Sequence, residues 1–484
     1  MIMTIQTARI VTIAAILTAG QTGCRSPQPC CDTGLVHREL ACRTGVESPR
    51  VAPCREVVPA GVVFEDGLSE DEAVQTALAN NSLFQAAVAQ LGMAAGDAKQ
   101  ASLIANPQVL IYFPTSTKEG QYALFQPIES YLLRPLRVKI ANREYRRIGM
   151  QLVQNGLDVA RDVRLAYVEL ALAADQADLA RETLAIRRSI EEITDKRYDD
   201  GDISELETIS ARVDQFNARA DAGVQDQSVA IAEAKLLTLI GLPHYPDPVA
   251  LLPLELPSLP ILLEEELIAQ ALVCRPDFQA AQWSVAAAAQ RTELARRQFW
   301  RVDGVVDSRS DPGNRTGGGL RFELPVFNRN QGGAIRADWE LNAALHSRDA
   351  IRDQILADVR TAARQLRQAS DALQILQREV EPALGEALRI SRQGFADGGT
   401  DYLLVLRTTT QYLDARARIL VQKAALLRAL AQLDRAVGAN IEAGPMNVEQ
   451  LEQVASVPLP SDVGADGESV AAEEARADVS SHDK

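Results

Sequence analysis

Carboxylates crowd two glycine turns in this chain. Tyr198-Asp199-Asp200-Gly201-Asp202 is followed by Glu205 and Glu207, and Phe395-Ala396-Asp397-Gly398-Gly399 by Thr400 and Asp401. Glycine after a helix supplies the left-handed conformation, and Asp or Ser caps the helix that follows. Capping and plain solvation account for such residues without further chemistry. The histidines His37, His244, His346 and His482 are dispersed, with no nucleophile–base spacing. There is no phosphate-binding loop or dinucleotide fingerprint. Nothing in the chain points to catalysis or to a cofactor.

The other reactive residues are cysteines. Cys24, Cys30, Cys31, Cys42 and Cys54 lie near the N-terminus, and Cys274 sits alone in an apolar stretch. Residues 1–24 read as an export signal: Arg9, an apolar run over 10–17, then small residues ending in Gly23-Cys24. That ending is similar to a bacterial lipoprotein cleavage site, with Cys24 as the lipidated residue, although Gln21 departs from the pattern. Four cysteines then remain in a Pro-rich segment over 25–64, enough for two disulfides in an oxidising compartment. Their spacing matches no standard zinc pattern.

The formal charge of −15 leaves no basic stripe for nucleic acid. Abundant Ala, Leu, Gln and Arg with only 5% aromatics favours long helices. Beyond the N-terminus no apolar run reaches the ~18 residues of a spanning helix.

The elements that must hold the two turns occur twice. Ala77-Leu78 and Phe84-Gln85-Ala86-Ala87 return as Ala271-Leu272 and Phe278-Gln279-Ala280-Ala281, an offset of 194. Asp200-Gly201, Ala218-Arg219-Ala220 and Gly241 return as Asp397-Gly398, Ala415-Arg416-Ala417 and Gly438, an offset of 197. So few insertions over such a length mean a structural duplication, with a period too long for a solenoid. The units are 65–242 and 264–440, joined by a Pro-rich connector over 243–263 that forbids continuous helix. The acidic tail over 441–484 has the composition of a disordered segment.

Each unit is expected to run helix (70–105; 264–299), strand pair, very long helix, glycine turn, returning helix. Leu165, Leu172, Leu179, Ile186 and Ile193 recur at sevens, as do Val359, Leu366, Leu373, Val380 and Ala387. Sevens specify a left-handed coiled coil. A stretch of about 60 residues without a helix breaker gives a rod of roughly 90 Å. Candidate strands are 108–113 and 122–128, then 302–307 and 318–326. In the last, Leu320, Phe322, Leu324 and Val326 alternate with Arg321, Glu323 and Pro325. One face then suits lipid or a core, the other a wet interior. Four strands cannot close a barrel, so a membrane role requires strands pooled among subunits. The alternative is a small soluble sheet capping a helical bundle.

The duplicated order, the glycine turns and the segment Leu324-Pro325-Val326-Phe327-Asn328-Arg329-Asn330-Gln331-Gly332 together resemble the TolC-like outer-membrane efflux family. The last segment is similar to the strand exit of its heavy-metal branch, which partners cobalt–zinc–cadmium or copper–silver exporters. Phe125-Gln126-Pro127-Ile128-Glu129 resembles the matching exit in the first unit. The resemblance implies a mainly α fold with a small β part. It implies a homotrimer of duplicated coiled-coil hairpins forming a periplasmic α-barrel. Four strands per chain would make a 12-stranded outer-membrane β-barrel, set in outer-membrane lipid with Cys24 as anchor.

The resemblance also implies a passive conduit, fed by an inner-membrane pump of the RND type through a periplasmic adaptor. The adaptor would dock on the tips, Asp200, Gly201, Asp202, Asp397, Gly398, Gly399 and Thr400. The family closes its tube at these tips, partly through acidic residues just past the turn. Two positions where well-known members carry Asp are here Leu404 and Arg407, so Glu207, Glu205 and Asp401 become the acidic gate candidates beside them. Drug efflux and type I secretion stay open as functions. So does a periplasmic coiled-coil scaffold or adaptor that never enters the bilayer.

Overall fold

Helix breaks, not helix lengths, organise each unit. In this computed structural model the described residues are 34–46, 66–113, 120–253, 263–309, 315–397 and 399–441, with residues 58, 59, 62, 64 and 256. Helix α1 is Gly34–Thr44. The first unit holds α2 (Glu70–Asn80), α3 (Ser82–Ser102), β1 (Gln108–Tyr112), β2 (Gln121–Pro127), α4 (Glu129–Asp199) and α5 (Glu205–Ile240). The second holds α6 (Glu264–Cys274), α7 (Pro276–Arg297), β3 (Val302–Arg309), β4 (Arg315–Phe322), α8 (Gln331–Ile375), α9 (Glu381–Ala396) and α10 (Tyr402–Val437). A π-helical turn, Leu376–Val380, joins α8 to α9.

The expected single helices over 70–105 and 264–299 are therefore each two helices. Asn81 leaves the helical region (ψ 116°) and caps α3 through the Phe84 N–H at 3.0 Å. At the equivalent point Arg275 precedes Pro276, and a residue before proline is driven out of the helical region. Both break residues reach the end of the returning helix. The Asn81 amide donates to the Leu239 carbonyl at 3.0 Å, and the Arg275 guanidinium to the Ala436 carbonyl at 3.4 Å. Each returning helix ends in a left-handed glycine, Gly241 (φ 79°) and Gly438 (φ 78°), against the same break. A Cβ on Gly241 would lie 2.7 Å from Asn80 backbone atoms. The duplication thus preserves a way of folding a helix back on its own unit.

Helix α4 begins already at Glu129 and runs through Pro135, 71 residues in all. At 1.5 Å per residue it is about 105 Å long. In the second unit the expected seam holds as far as Leu373: Val359, Leu366, Ala369 and Leu373 are buried with Leu426, Leu430 and Leu433 of α10, whereas the π-helical turn then shifts the register and Val380 and Ala387 are only partly buried. In the first it wanders. Leu179 is buried, but Leu165, Leu172, Ile186 and Ile193 are only partly so, while Val163, Tyr167, Leu170 and Ile190 are buried. Helix α4 packs against α1, α2, α3, α5, α7 and α10 at different heights, so no single stripe serves all of it.

The strands form one antiparallel sheet, β1-β2-β3-β4, in which β2 pairs with β3 and joins the two units. β4 ends at Phe322, short of the expected Val326. Its partner β3 starts at Val302, opposite Phe322, so Leu324 and Val326 have no strand to pair with. Paired residues share a face. Val109, Ile111, Tyr122, Leu124, Val306, Leu320 and Phe322 form one face, apolar and exposed. The other carries Gln121, Asp303, Asp307, Arg309 and Arg321. There Arg321 bonds Asp303 at 2.9 Å and stands 4.5 Å from the Phe125 ring, and Gln121 bonds Asp307 at 3.2 Å.

The Cys/Pro-rich segment is not merely a linker: it contains α1, which carries Cys42. Val36 and Leu40 are buried in the first unit's core. A Cβ on Gly156 of α4 would collide with Leu40. Arg43, paired with buried Glu39 at 2.9 Å, donates to the carbonyls of Cys274 and Gly438, and its own carbonyl accepts from the Asn440 N–H. The helix is a strap across both units. Cys24, Cys30, Cys31 and Cys54 lie outside the described residues, as does the tail beyond 441. Among the described residues no helix is long and apolar enough to cross a membrane.

Candidate functional site

The two glycine turns lie together at one end of the helical hairpins. After α4, Gly201 (φ 82°) closes the turn, with its N–H on the Tyr198 carbonyl and the Asp202 N–H on that of Arg197. Ser204 caps α5 in a capping box: the Glu207 carboxylate accepts from the Ser204 N–H and hydroxyl, both at 2.9 Å. After α9 the Gly399 N–H returns to the Gly394 carbonyl at 2.8 Å, and Asp401 caps α10 through the Leu404 N–H at 2.8 Å. Thr400 sits over Gly394, where a Cβ would overlap its hydroxyl. Asp200, Asp202 and Asp397 are exposed, and Gly398 lies outside the described residues.

Two of the acidic candidates are thereby occupied. Glu207 and Asp401 hold helix starts, while Glu205, Leu404 and Arg407 are exposed. Below the turns, Ile190, Ala211, Phe395, Tyr402 and Val405 make a small apolar cluster that ties one hairpin to the other. A polar latch surrounds it. The Tyr402 hydroxyl donates to Asp214 at 2.9 Å. Arg187 stands 3.8 Å from Asp214 and donates to Thr410 at 3.0 Å, and Arg416 pairs with Glu182. Burial, then the bond and charge of Asp214, push the Tyr402 hydroxyl well above its ordinary range, so it stays a donor.

The latch residues escaped the sequence reading because Tyr402 and Asp214 are 188 residues apart. A signal was present, though. With the 197 offset, Tyr402 stands opposite Glu205 and Asp214 opposite Gln411, so both break the repeat.

The segment after β4 has its own geometry. Asn330 is left-handed (φ 60°) and donates to the Ala295 carbonyl of α7 at 2.9 Å. Gly333 leaves room for the Asn330 side chain, which a Cβ there would overlap. The motif turns the chain from sheet into α8. Phe327, 94% exposed, stands out beside it. Among the described residues no cluster of three or more His, Cys, Asp or Glu side chains could hold a metal.

A stack of charges built on the buried Arg275 fixes the units to each other. Arg275 bonds Asp358 at 2.9 Å, and Arg435 bonds both Asp358 at 3.1 Å and Asp158 at 2.8 Å. Burial alone would raise the Asp358 carboxyl. The hydrogen bonds from Arg275 and Gln354 and the charges of Arg275 and Arg435 outweigh it and hold the group below the usual carboxylate range.

Comparison with known proteins agrees with this architecture. The family model for outer membrane efflux proteins matches residues 73–242 and 267–439, one match per unit and more than half of the chain. The cobalt-zinc-cadmium resistance protein CzcC of Cupriavidus metallidurans is 28% identical over 400 residues, covering 77% of this chain and 90% of that relative. Among solved structures, the transmembrane channel CusC superposes with a TM-score of 0.66 at 18% identity, covering 81% of this chain and 98% of CusC. The open MtrE outer membrane channel of Neisseria gonorrhoeae does so at 0.63 and 19% identity, covering 83% and 100%. The family match over both units places the chain in the outer membrane, with a large periplasmic portion. It belongs to the outer membrane efflux protein family, whose members are channels and not enzymes.

Proposed function

We propose that this chain is the outer-membrane channel of a tripartite efflux system: a passive homotrimeric conduit fed by an RND-type inner-membrane pump through a periplasmic adaptor. The observation that carries the reading is the sheet. It has one exposed apolar face, one charged face, and two edges, β1 and β4, with no partner among the described residues. Backbone groups left unpaired in lipid cost several kcal/mol each, so spanning strands must close into a barrel. Three copies joined β1 to β4 give twelve strands, with Asp303, Asp307 and Arg321 facing a wet lumen.

The helices support the same assembly. On α5, Leu206, Ile209, Val213, Phe216, Val224 and Ile231 are exposed along one line opposite the buried Ala211, Ala218 and Ala222. Spacings of three and four in an apolar row form a seam for another helix, and a second copy of this chain is its occupant. The tips, Asp200, Gly201, Asp202, Asp397, Gly398, Gly399 and Thr400, are the adaptor's docking points. Cys24 carries the lipid that anchors the chain beside the barrel.

Divalent metal cations are the cargo, on the strength of the likeness to the cobalt-zinc-cadmium resistance protein. Deletion of the gene, followed by challenge with cobalt, zinc, cadmium and a panel of hydrophobic drugs, tests this. Hypersensitivity to the metals alone is expected. Hypersensitivity to drugs alone would change the cargo, and no phenotype with either would overturn the efflux reading.

A further inference from the structure

The charge of this chain is not spread evenly. Overall it is acidic, with 65 Asp and Glu against 50 Lys and Arg, yet residues 129–147 carry six basic side chains against two acidic, and residues 291–301 four against one. These are the start of α4 and the end of α7 with its link to β3, and they lie together. Arg143 donates to the Ala286 carbonyl at 2.6 Å, and Glu144 is shared between Arg147 and Arg291. Both stretches adjoin the sheet, where the Glu129 carboxylate accepts from the Val302 N–H at 3.1 Å. Positive charge gathers at the level where helices become strands.

Some of these groups are neutralised on the spot, Arg296 by Asp338 at 3.0 Å and Arg297 by Glu293 at 2.5 Å. Three exposed ones are not. Arg134 donates to the Ser102 carbonyl at 2.7 Å, and Arg329, in the segment after β4, to the Pro325 carbonyl at 3.2 Å. Among the described residues neither they nor the exposed Lys139 has a carboxylate partner. Their neighbours are exposed and apolar: Tyr131 and Leu132 beside Arg134, and Leu324, Val326 and Phe327 beside Arg329. Leu324 and Val326 continue the alternation of Leu320 and Phe322 on the apolar face of the sheet. A water-filled bore has no use for such a surface.

We propose that Arg134, Lys139 and Arg329 form a cationic collar that binds the phosphate headgroups of anionic phospholipids, in the leaflet on the helix side of the sheet. The inference rests on the trimeric barrel proposed above, which sets the apolar face against lipid and repeats the three residues around it. Aromatic and apolar side chains with basic ones just beyond them suit a bilayer interface. Leu132 and Lys139 are seven residues apart and share a face of α4, about 10 Å apart along it. The polar layer on one side of a bilayer is ~5–8 Å deep, and a lysine stem folds back over the difference. Negative charge is what this surface lacks, and a layer of phosphates supplies it all round the barrel.

Full-length protein in phosphatidylcholine vesicles at low ionic strength tests the collar, with a trace of phosphatidylglycerol or phosphatidylcholine spin-labelled on the acyl chain as the probe. The spectrum gives the fraction of each lipid held against the protein. Each basic residue at an anionic surface favours it about fivefold, so the average over the whole lipid shell should be about twofold in favour of phosphatidylglycerol. The triple variant Arg134→Gln, Lys139→Gln, Arg329→Gln should abolish that preference and keep the phosphatidylcholine fraction, which shows the barrel intact. The remote pair Lys235→Gln, Arg389→Gln, on α5 and α9, should behave as wild type. The inference is overturned if wild type holds the two lipids equally, or if the remote pair lowers the preference as much as the triple variant does. Equal uptake with dissociation of the triple variant to monomers on sizing would assign the face to a neighbouring copy. If neither lipid is held at all, no surface of the chain meets a bilayer, and the barrel reading fails with the collar.

Discussion

Removing one oxygen from Tyr402 should loosen the tips without unfolding the chain. The hydroxyl donates to Asp214 at 2.9 Å across the two hairpins, and Tyr402 is 2% exposed. A hydrogen bond to a charged partner is worth about 1.5–3 kcal/mol. The Asp214 side chain is 30% exposed, so water replaces part of that bond when it breaks, leaving about 1–2 kcal/mol per chain. Three chains opening together would add to about 3–6 kcal/mol, since the latches of different copies share no partner. At 1.36 kcal/mol per factor of ten, that favours the open state by about 10²–10⁴. Phenylalanine keeps the ring against Phe395, whose centroid lies 6.4 Å away, so packing is retained. Bilayer conductance of Tyr402→Phe should rise sharply while the melting temperature stays within a few degrees of wild type. Unchanged conductance at unchanged melting temperature would refute the latch. Asp214→Asn, which keeps an acceptor but loses the charge facing Arg187, should give an intermediate rise.

Three further outcomes follow from the packing. Gly241→Ala should destabilise more than Gly438→Ala, because its Cβ would meet backbone at 2.7 Å and not at 3.2 Å; melting temperatures of the two variants compare them directly. Asp358 is held below its ordinary value of 3.8, so its contribution is complete above that pH and is lost as pH falls through the lower folded value. Thermal melts between neutral and strongly acidic pH should show a step there that Asp358→Asn removes. Val213→Glu puts a charge in the apolar line of α5 and should convert the trimer to monomers on sizing in detergent, with the helical signal preserved.

How much of this was legible depended on range. The glycine turns, the caps at Ser204 and Asp401, and the candidate strand pairs within 108–128 and 302–326 are local, and the residues that make them adjoin one another. The repeat offset located both returning helices for the same reason. The break at Asn81 was not legible, because the carbonyl that holds its amide belongs to Leu239. Nor was α1, whose Leu40 has a place only once Gly156 of α4 is opposite it. Leu324 and Val326 alternate as a strand should, yet β3 begins too late to pair with them. At the tips the capping was legible and the tie between the hairpins was not. Glu207 and Asp401 serve the ends of helices, and the hairpins are tied by Tyr402 and Asp214.

The central claim is that three copies close one barrel through β1 of each chain and β4 of the next. A cysteine at Val109 on β1, paired in turn with cysteines at Leu320, Gly318 and Thr316 along β4, tests it in intact outer membranes. A background that keeps Cys24 and no other native cysteine, with each pair, should yield, at one register, a covalent trimer that is absent with either introduced cysteine alone. Folded protein in the outer membrane that yields no inter-chain product at any register would contradict the account.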